Sequence, residues 1–224
     1  MIDVDVWWAG PDQARTEHLD LLTGVEAARR EALRQAADRD RFTVAAALLR
    51  LVAGRLTGLA PERVPVERGC ARCGRPHGRP RISGYDVHVS ISHSAGRVAV
   101  ATAAVPVGVD VEQVRQIAVD ELGSQTLGPD ERADDVAGFF TYWARKESAV
   151  KATGDGLAVP LSGVLVSPPD QPARLLGYRT RPGLVATMCD LSPGAGYAAA
   201  VTLLAAGPCR ATEHDAGELL RSVG

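Results

Sequence analysis

Gly96-Arg-Val-Ala-Val-Ala-Thr-Ala-Ala104 returns in outline a hundred residues later as Gly196-Tyr-Ala-Ala-Ala-Val-Thr-Leu-Leu204, and Val4-Asp5-Val6 returns as Val109-Asp110-Val111. Each half of the chain then runs strand, helices, strands. The reading is an α+β fold of two similar lobes related by a pseudo-twofold axis, with the active site in the cleft between them. The lobes are placed at residues 1–105 and 106–210, and residues 211–224 are left as a polar C-terminal tail with one short helix.

Around the repeated stretches the local patterns agree. Residues 2–8 alternate as a strand that Gly10-Pro11 ends, and apolar residues from Thr16 to Leu59 recur at helical spacing. Residues 61–84 carry Pro, Gly, Arg and Cys without period and read as a long irregular loop, a kind that is often functional. Residues 87–104 read as two strands joined through His93-Ser-Ala-Gly96, and Val107 to Glu112 as another. Helices interrupted at Gly128-Pro129 follow over residues 118–153, with later strands at 161–166, 174–180, 184–189 and 196–205.

The chain has 224 residues, 46% of them hydrophobic, enough to bury a core as one large domain or two small lobes. A net charge of -2 supplies no basic field for nucleic acid or an anionic membrane. No apolar run approaches the roughly 18 to 20 residues that span a bilayer. The Met-Ile-Asp-Val-Asp-Val start lacks a secretory signal, so a cytoplasmic protein is expected. Cys70-Ala-Arg-Cys73-Gly with His77 resembles half of a zinc ribbon, but the other cysteines, Cys189 and Cys209, have 19 residues between them. Zinc is therefore not expected, and two reduced cysteines in a Gly-rich turn are. A redox pair or a two-chain metal site are the other readings of that turn.

The only two lysines among 25 basic residues fall in Trp143-Ala-Arg-Lys-Glu-Ser-Ala-Val-Lys151. Lysine is a compact charge that can give up a proton, whereas arginine stays charged. On a helix, Trp143, Glu147 and Lys151 share one face, either a working surface or an ordinary ion pair on a solvated helix. In Gly108-Val-Asp110-Val-Glu112, a strand points both carboxylates the same way, and with Glu147 they make an oxygen set suited to Mg²⁺. Ser90-Ile-Ser92-His93-Ser94 ends a strand where donors could meet a phosphate or position an imidazole. Arg75, Arg79 and Arg81 concentrate positive charge in the long loop, where guanidinium forks suit phosphate.

Taken together, Gly-Arg79-Pro, Ser-Ile-Ser92-His93-Ser, Gly-Val-Asp110-Val-Glu112 and Trp143-x-x-Lys-Glu147-Ser-x-x-Lys151-x-x-Gly154-x-Gly156-Leu resemble a 4'-phosphopantetheinyl transferase of the Sfp type. The resemblance is strong over residues 75–160. It implies transfer of the phosphopantetheine arm of coenzyme A to a serine of an apo acyl, polyketide or peptidyl carrier protein, releasing adenosine 3',5'-bisphosphate. Asp110, Glu112 and Glu147 would hold Mg²⁺ (or Mn²⁺) on the pyrophosphate. Lys151 would stabilise or protonate the leaving phosphate. Glu147 would take the serine proton, directly or through a metal-bound water. His93 with Ser92 would contact coenzyme A phosphates. Arg79 stands where the family more often has lysine and would bind the 3'-phosphate. Arg41 and Thr43 match a further, looser set of nucleotide contacts. Nucleotide and phosphate contacts thus fall to the first lobe, metal and catalysis to the second. Family resemblance suggests a monomer, and the loop from Arg68 to Arg81 could dock an acidic carrier. The same carboxylates would also serve a Mg²⁺-dependent nucleotide or phosphate-ester hydrolase, and a non-catalytic nucleotide or zinc-loop module is the alternative outside enzymes.

Overall fold

The computed structural model describes residues 1–69, 73–76, 78–117 and 119–223, without the side chains of residues 119–122 and 157. Cys70 and His77 lie outside the described residues.

The alternating start forms β1 (Ile2–Ala9). The stretch read as continuously helical is instead broken: a 3-10 turn at Thr16–Leu21, then α1 (Gly24–Glu31), then α2 (Ala36–Thr57). Thr23 sets the start of α1, because its hydroxyl accepts from the Glu26 N–H while the Glu26 carboxylate reaches back to the Thr23 N–H. Helix α2 ends at Gly58, left-handed at φ 73°, a conformation that costs glycine least. In the long loop lie short β2 (Val66–Glu67) and β3 (Arg81–Ile82), paired antiparallel. The middle of the chain follows its sequence pattern as β4 (His88–Ser94), β5 (Arg97–Ala103) and β6 (Val107–Gln113). Next come α3 (Val119–Thr126) and α4 (Val136–Thr153), the latter capped by Asp135 accepting from the Gly138 N–H at 2.7 Å. The late strands are β7 (Val164–Val166), β8 (Leu175–Tyr178), β9 (Thr187–Asp190) and β10 (Tyr197–Leu203).

The end of the chain differs from the polar tail expected of it. Cys209–Asp215 forms β11, which pairs in parallel with β1, and α5 (Gly217–Arg221) buries Leu219 and Leu220 in the first core. The strand was hidden because Cys-Arg-Ala-Thr-Glu-His-Asp alternates little in polarity. It is an edge strand with few apolar residues, and its stability comes from the ladder with β1.

Two main sheets result, ordered β11-β1-β5-β4 and β6-β10-β9. Each contains an antiparallel pair: β1 on β5 with Val4 opposite Ala103, and β6 on β10 with Val107 opposite Leu203. Val4, Val6, Ala99 and Ala101 pack against Val107, Val109, Val111, Val201 and Leu203, so the sheets share one apolar interface. On the outer face of the first sheet, Val98 and Val100 meet α2 through Val44, Leu48 and Val52. On the outer face of the second lies α4, itself backed by β7 and β8 through Tyr142, Val150, Val164 and Tyr178. The layers are α2, sheet, sheet, α4.

Candidate active site

A cavity of about 340 Å³ opens where α2, β4, β6 and α4 converge, and Ser92, His93, Asp110, Glu112, Glu147 and Lys151 line it. Strand periodicity brings half of these together. Val109 and Val111 enter the apolar interface between the sheets, so Asp110 and Glu112 face the other way, toward α4. The helix can lie this close to β6 because residue 108 is glycine: a Cβ there would overlap the Ser148 carbonyl and the Ala152 amide, and would stand 2.9 Å from the Lys151 carbonyl carbon. Close approach drops Glu147 and Lys151, one helical turn apart, onto the carboxylate face of the strand.

Lys151 Nζ donates to Asp110 Oδ1 at 2.6 Å and to Ser92 Oγ at 2.8 Å. Ser92 in turn donates to Asp110 Oδ1 at 2.8 Å. Asp110 is buried, and its Oδ2 has no hydrogen-bond partner among the described residues. Burial, then the Asp110 charge, pushes the Glu112 carboxyl above its usual range against the opposing pull of Ser94 and Lys151. Burial, then Asp110, does the same to Glu147, again against Lys151. Glu147 accepts no hydrogen bond from the described residues. Three carboxylates thus share one low-dielectric space, one of them paired with Lys151, and a carboxylate oxygen left without a partner among the described residues fits a hard divalent cation. Among the described residues, no three His, Cys, Asp or Glu side chains stand together as a formed metal cluster. The fit rests on the donor set and the orphaned oxygen.

His93 presents part of its ring to solvent. Nonetheless the surrounding protein, followed by the Lys151 and Arg41 charges, lowers its pKa from the usual value. The remaining candidates sit outside the cavity wall. Arg41 donates to the Ala95 carbonyl at 2.9 Å and pairs with Asp38, bracing the turn beyond His93. Thr43 is buried, accepting from Arg30 Nε at 2.9 Å and donating to the Arg39 carbonyl at 2.8 Å. Arg79 donates to the Ala152 carbonyl at 2.6 Å and so caps the C-terminus of α4, one residue past Lys151. Lys146, singled out with Lys151, is fully buried. It pairs with Glu131 and donates to the carbonyls of Leu161 and Val164. Its task is to tie α4 to the loops below it.

Arg29, Phe42 and Arg68 also line the cavity, and sequence reasoning gave them no site role. Arg68 was legible only as part of a basic loop, and Arg29 was one of many arginines in a helical stretch. Their placement depends on α1 and β2 folding back over α2, which no local pattern announces. Cys189 on β9 and Cys209 on β11, separate in sequence, come close enough for the Cys209 thiol to lower the pKa of Cys189.

Comparison with known proteins finds the likeness of this chain among enzymes of the transferase class. More narrowly, residues 106–202, which hold β6, α4 and most of β10, match the model of the 4'-phosphopantetheinyl transferase superfamily. It is similar to a 4'-phosphopantetheinyl transferase of Bacillus subtilis, 29% identical over 157 residues, which are 65% of this chain and 67% of that protein. It is also similar to 4'-phosphopantetheinyl transferase Sfp of Bacillus subtilis, 29% identical over 52% of this chain and 61% of Sfp. The likeness to 4'-phosphopantetheinyl transferase HetI of a Nostoc species is 27% over 90% of this chain and 87% of that protein. The chain thus spans under two thirds of Sfp in the region where the two match.

Proposed function

We propose that this protein transfers the 4'-phosphopantetheine arm of coenzyme A to a serine of an apo acyl, polyketide or peptidyl carrier protein, dependent on Mg²⁺, releasing adenosine 3',5'-bisphosphate. The observation that carries this reading is Asp110, Glu112, Glu147 and Lys151 in one cavity, with Asp110 Oδ2 buried and without a partner among the described residues.

Asp110, Glu112 and Glu147 are the residues that would hold the divalent ion. Once bound, the ion supplies charge neutralisation at the phosphoryl group being transferred. The serine Oγ bonds to the β-phosphorus as the bond to adenosine bisphosphate breaks. Glu147, one helical turn from Lys151 in the same cavity, is the group that takes the serine proton. Lys151 neutralises or protonates the departing phosphate from a position 2.6 Å from Asp110, so its charge is already held in place. Ser92 and His93 at the cavity wall contact coenzyme A phosphates, with Arg79, Arg41 and Thr43 as outer nucleotide contacts.

The two-lobe reading belongs to the same proposal, with lobes at 1–105 and 106–210 and β11 returning to the first. The order β1-β5-β4 is repeated as β6-β10-β9, with α2 and α4 on the outer faces. Register supports it with one shift: Val4 opposite Ala103 corresponds to Val107 opposite Leu203, so Asp110 takes the place of Trp7 and the matched Val-Asp-Val triplets stand two residues apart. That shift preserves which face each residue occupies. A monomeric cytoplasmic protein acting in fatty-acid, polyketide or nonribosomal-peptide synthesis completes the proposal. Among the described residues no helix is long and apolar enough to cross a membrane.

The test is intact mass of a purified apo carrier protein after incubation with this protein, coenzyme A and Mg²⁺. A metal-dependent gain of one phosphopantetheine is expected. No gain across acyl, polyketide and peptidyl carriers would overturn the reading.

A further inference from the structure

Strands β4 and β6 lie side by side but share no ladder; three serines join them instead. Ser90 Oγ accepts from the Val109 N–H at 3.0 Å, Ser92 Oγ from the Val111 N–H at 3.3 Å, and Ser94 Oγ from the Gln113 N–H at 3.1 Å. The period of two on β4 matches the period of two on β6, so the outward N–H groups of Val109, Val111 and Gln113 meet one hydroxyl each. A serine hydroxyl accepts with two lone pairs and donates once. Ser94 spends its proton on Glu112 Oε2 at 2.8 Å, as Ser92 spends its own on Asp110. Ser90 has no hydrogen bond to a carboxylate among the described residues.

We propose that Ser94 is a positioning residue: it locks the Glu112 carboxylate to the β4–β6 seam so that Glu112 and Asp110 are presented together to a divalent cation. This rests on the proposed metal-binding role of Glu112. The logic is that of outer-shell partners, which orient a ligand's oxygens and whose loss typically weakens metal affinity by about 10- to 100-fold. Ser90 is the internal control, since it makes the same backbone stitch at Val109 without a carboxylate to hold.

The experiment compares the full-length protein with Ser94→Ala, Ser94→Thr and Ser90→Ala. It reads Mn²⁺ affinity by electron paramagnetic resonance, thermal unfolding, and carrier modification as a function of Mg²⁺ concentration. Expected for Ser94→Ala is about 10-fold weaker Mn²⁺ binding and a matching rise in the Mg²⁺ needed for half-maximal rate. Ser94→Thr, which keeps the hydroxyl, returns both toward wild type. Ser90→Ala lowers the unfolding midpoint with Mn²⁺ affinity unchanged. Equal loss of Mn²⁺ affinity in Ser90→Ala and Ser94→Ala would overturn the proposal, as would wild-type affinity in Ser94→Ala or no Mn²⁺ binding by the wild-type protein. A wild-type protein that binds Mn²⁺, weakened by Ser94→Ala but modifying no carrier, supports the seam and sinks the transferase reading alone.

Discussion

Lys151 and Asp110 meet at 2.6 Å across the junction of α4 and β6, with the lysine partly exposed and the aspartate only 3% exposed at its side chain. The pair is lopsided. Removing the lysine leaves a buried carboxylate with one hydrogen bond from Ser92, whereas removing the aspartate leaves an ammonium that solvent still reaches.

Lys151→Ala therefore costs about 1–3 kcal/mol of stability, the penalty for a buried polar group left short of partners. Carrier modification falls by about 100-fold or more, the usual loss when a donor to developing charge is removed. Adding Asp110→Asn to it recovers most of the stability and none of the activity. Urea unfolding of the four members of this cycle measures the coupling, and a strictly additive result would show that the contact contributes nothing.

Glu147→Gln should stabilise the protein while abolishing transfer. Burial and Asp110 raise the Glu147 pKa, so its charged form is disfavoured in the fold. This penalty is fully present above the raised pKa and fades as pH falls toward the ordinary glutamate value. The variant's unfolding midpoint should exceed wild type by a few degrees at neutral pH, with the gap closing on acidification. A variant less stable than wild type at pH 7 would mean that the carboxylate has a stabilising partner in solution.

Gly108→Ala should be among the most damaging single-methyl changes in the chain. Its Cβ would enter the backbone of α4 at Ser148 and Ala152, where no flexible side chain can move aside. Overpacking of this kind costs about 1–3 kcal/mol or more. Here it also lifts Glu147 and Lys151 off the strand, so activity should fall further than the unfolding midpoint predicts. Equal activity per folded molecule would show that the helix-to-strand distance is not critical.

The strands and the acidic face were legible because alternation fixes which side each residue takes, and a sheet honours that locally. Asp110, Glu112, Glu147 and Lys151 came together as their periodicities require. Gly108 was visible as a residue, yet its reason lies in the approach of α4, a tertiary fact. The β4 serines read only as donors at a strand end, because stitching a strand edge requires knowing which edge lies beside it. Strand β11 was missed for the opposite reason: its residues are polar, and only pairing with β1 makes them a strand. Arg29 and Arg68 reach the cavity by a fold-back of α1 and the long loop, and in a chain where nearly every basic residue is arginine, neither stood out.

His93 gives the protein an acid-sensitive element whose sign can be stated. Its folded pKa is lowered by burial, then by Lys151 and Arg41, so the native ring resists protonation more than the unfolded ring does. As pH falls below the ordinary histidine value of 6.5, the unfolded chain takes up a proton that the native chain refuses. The stability that the neutral ring contributes is complete above that value and is lost as pH drops through it toward the lowered native pKa. His93→Gln removes this element and leaves the nearby carboxylates in place. Unfolding midpoints of wild type and variant, measured from pH 7.5 to 5.5, should therefore show the wild type losing more on acidification. Parallel curves would mean that solvent on the exposed part of the ring cancels the effect of Lys151 and Arg41.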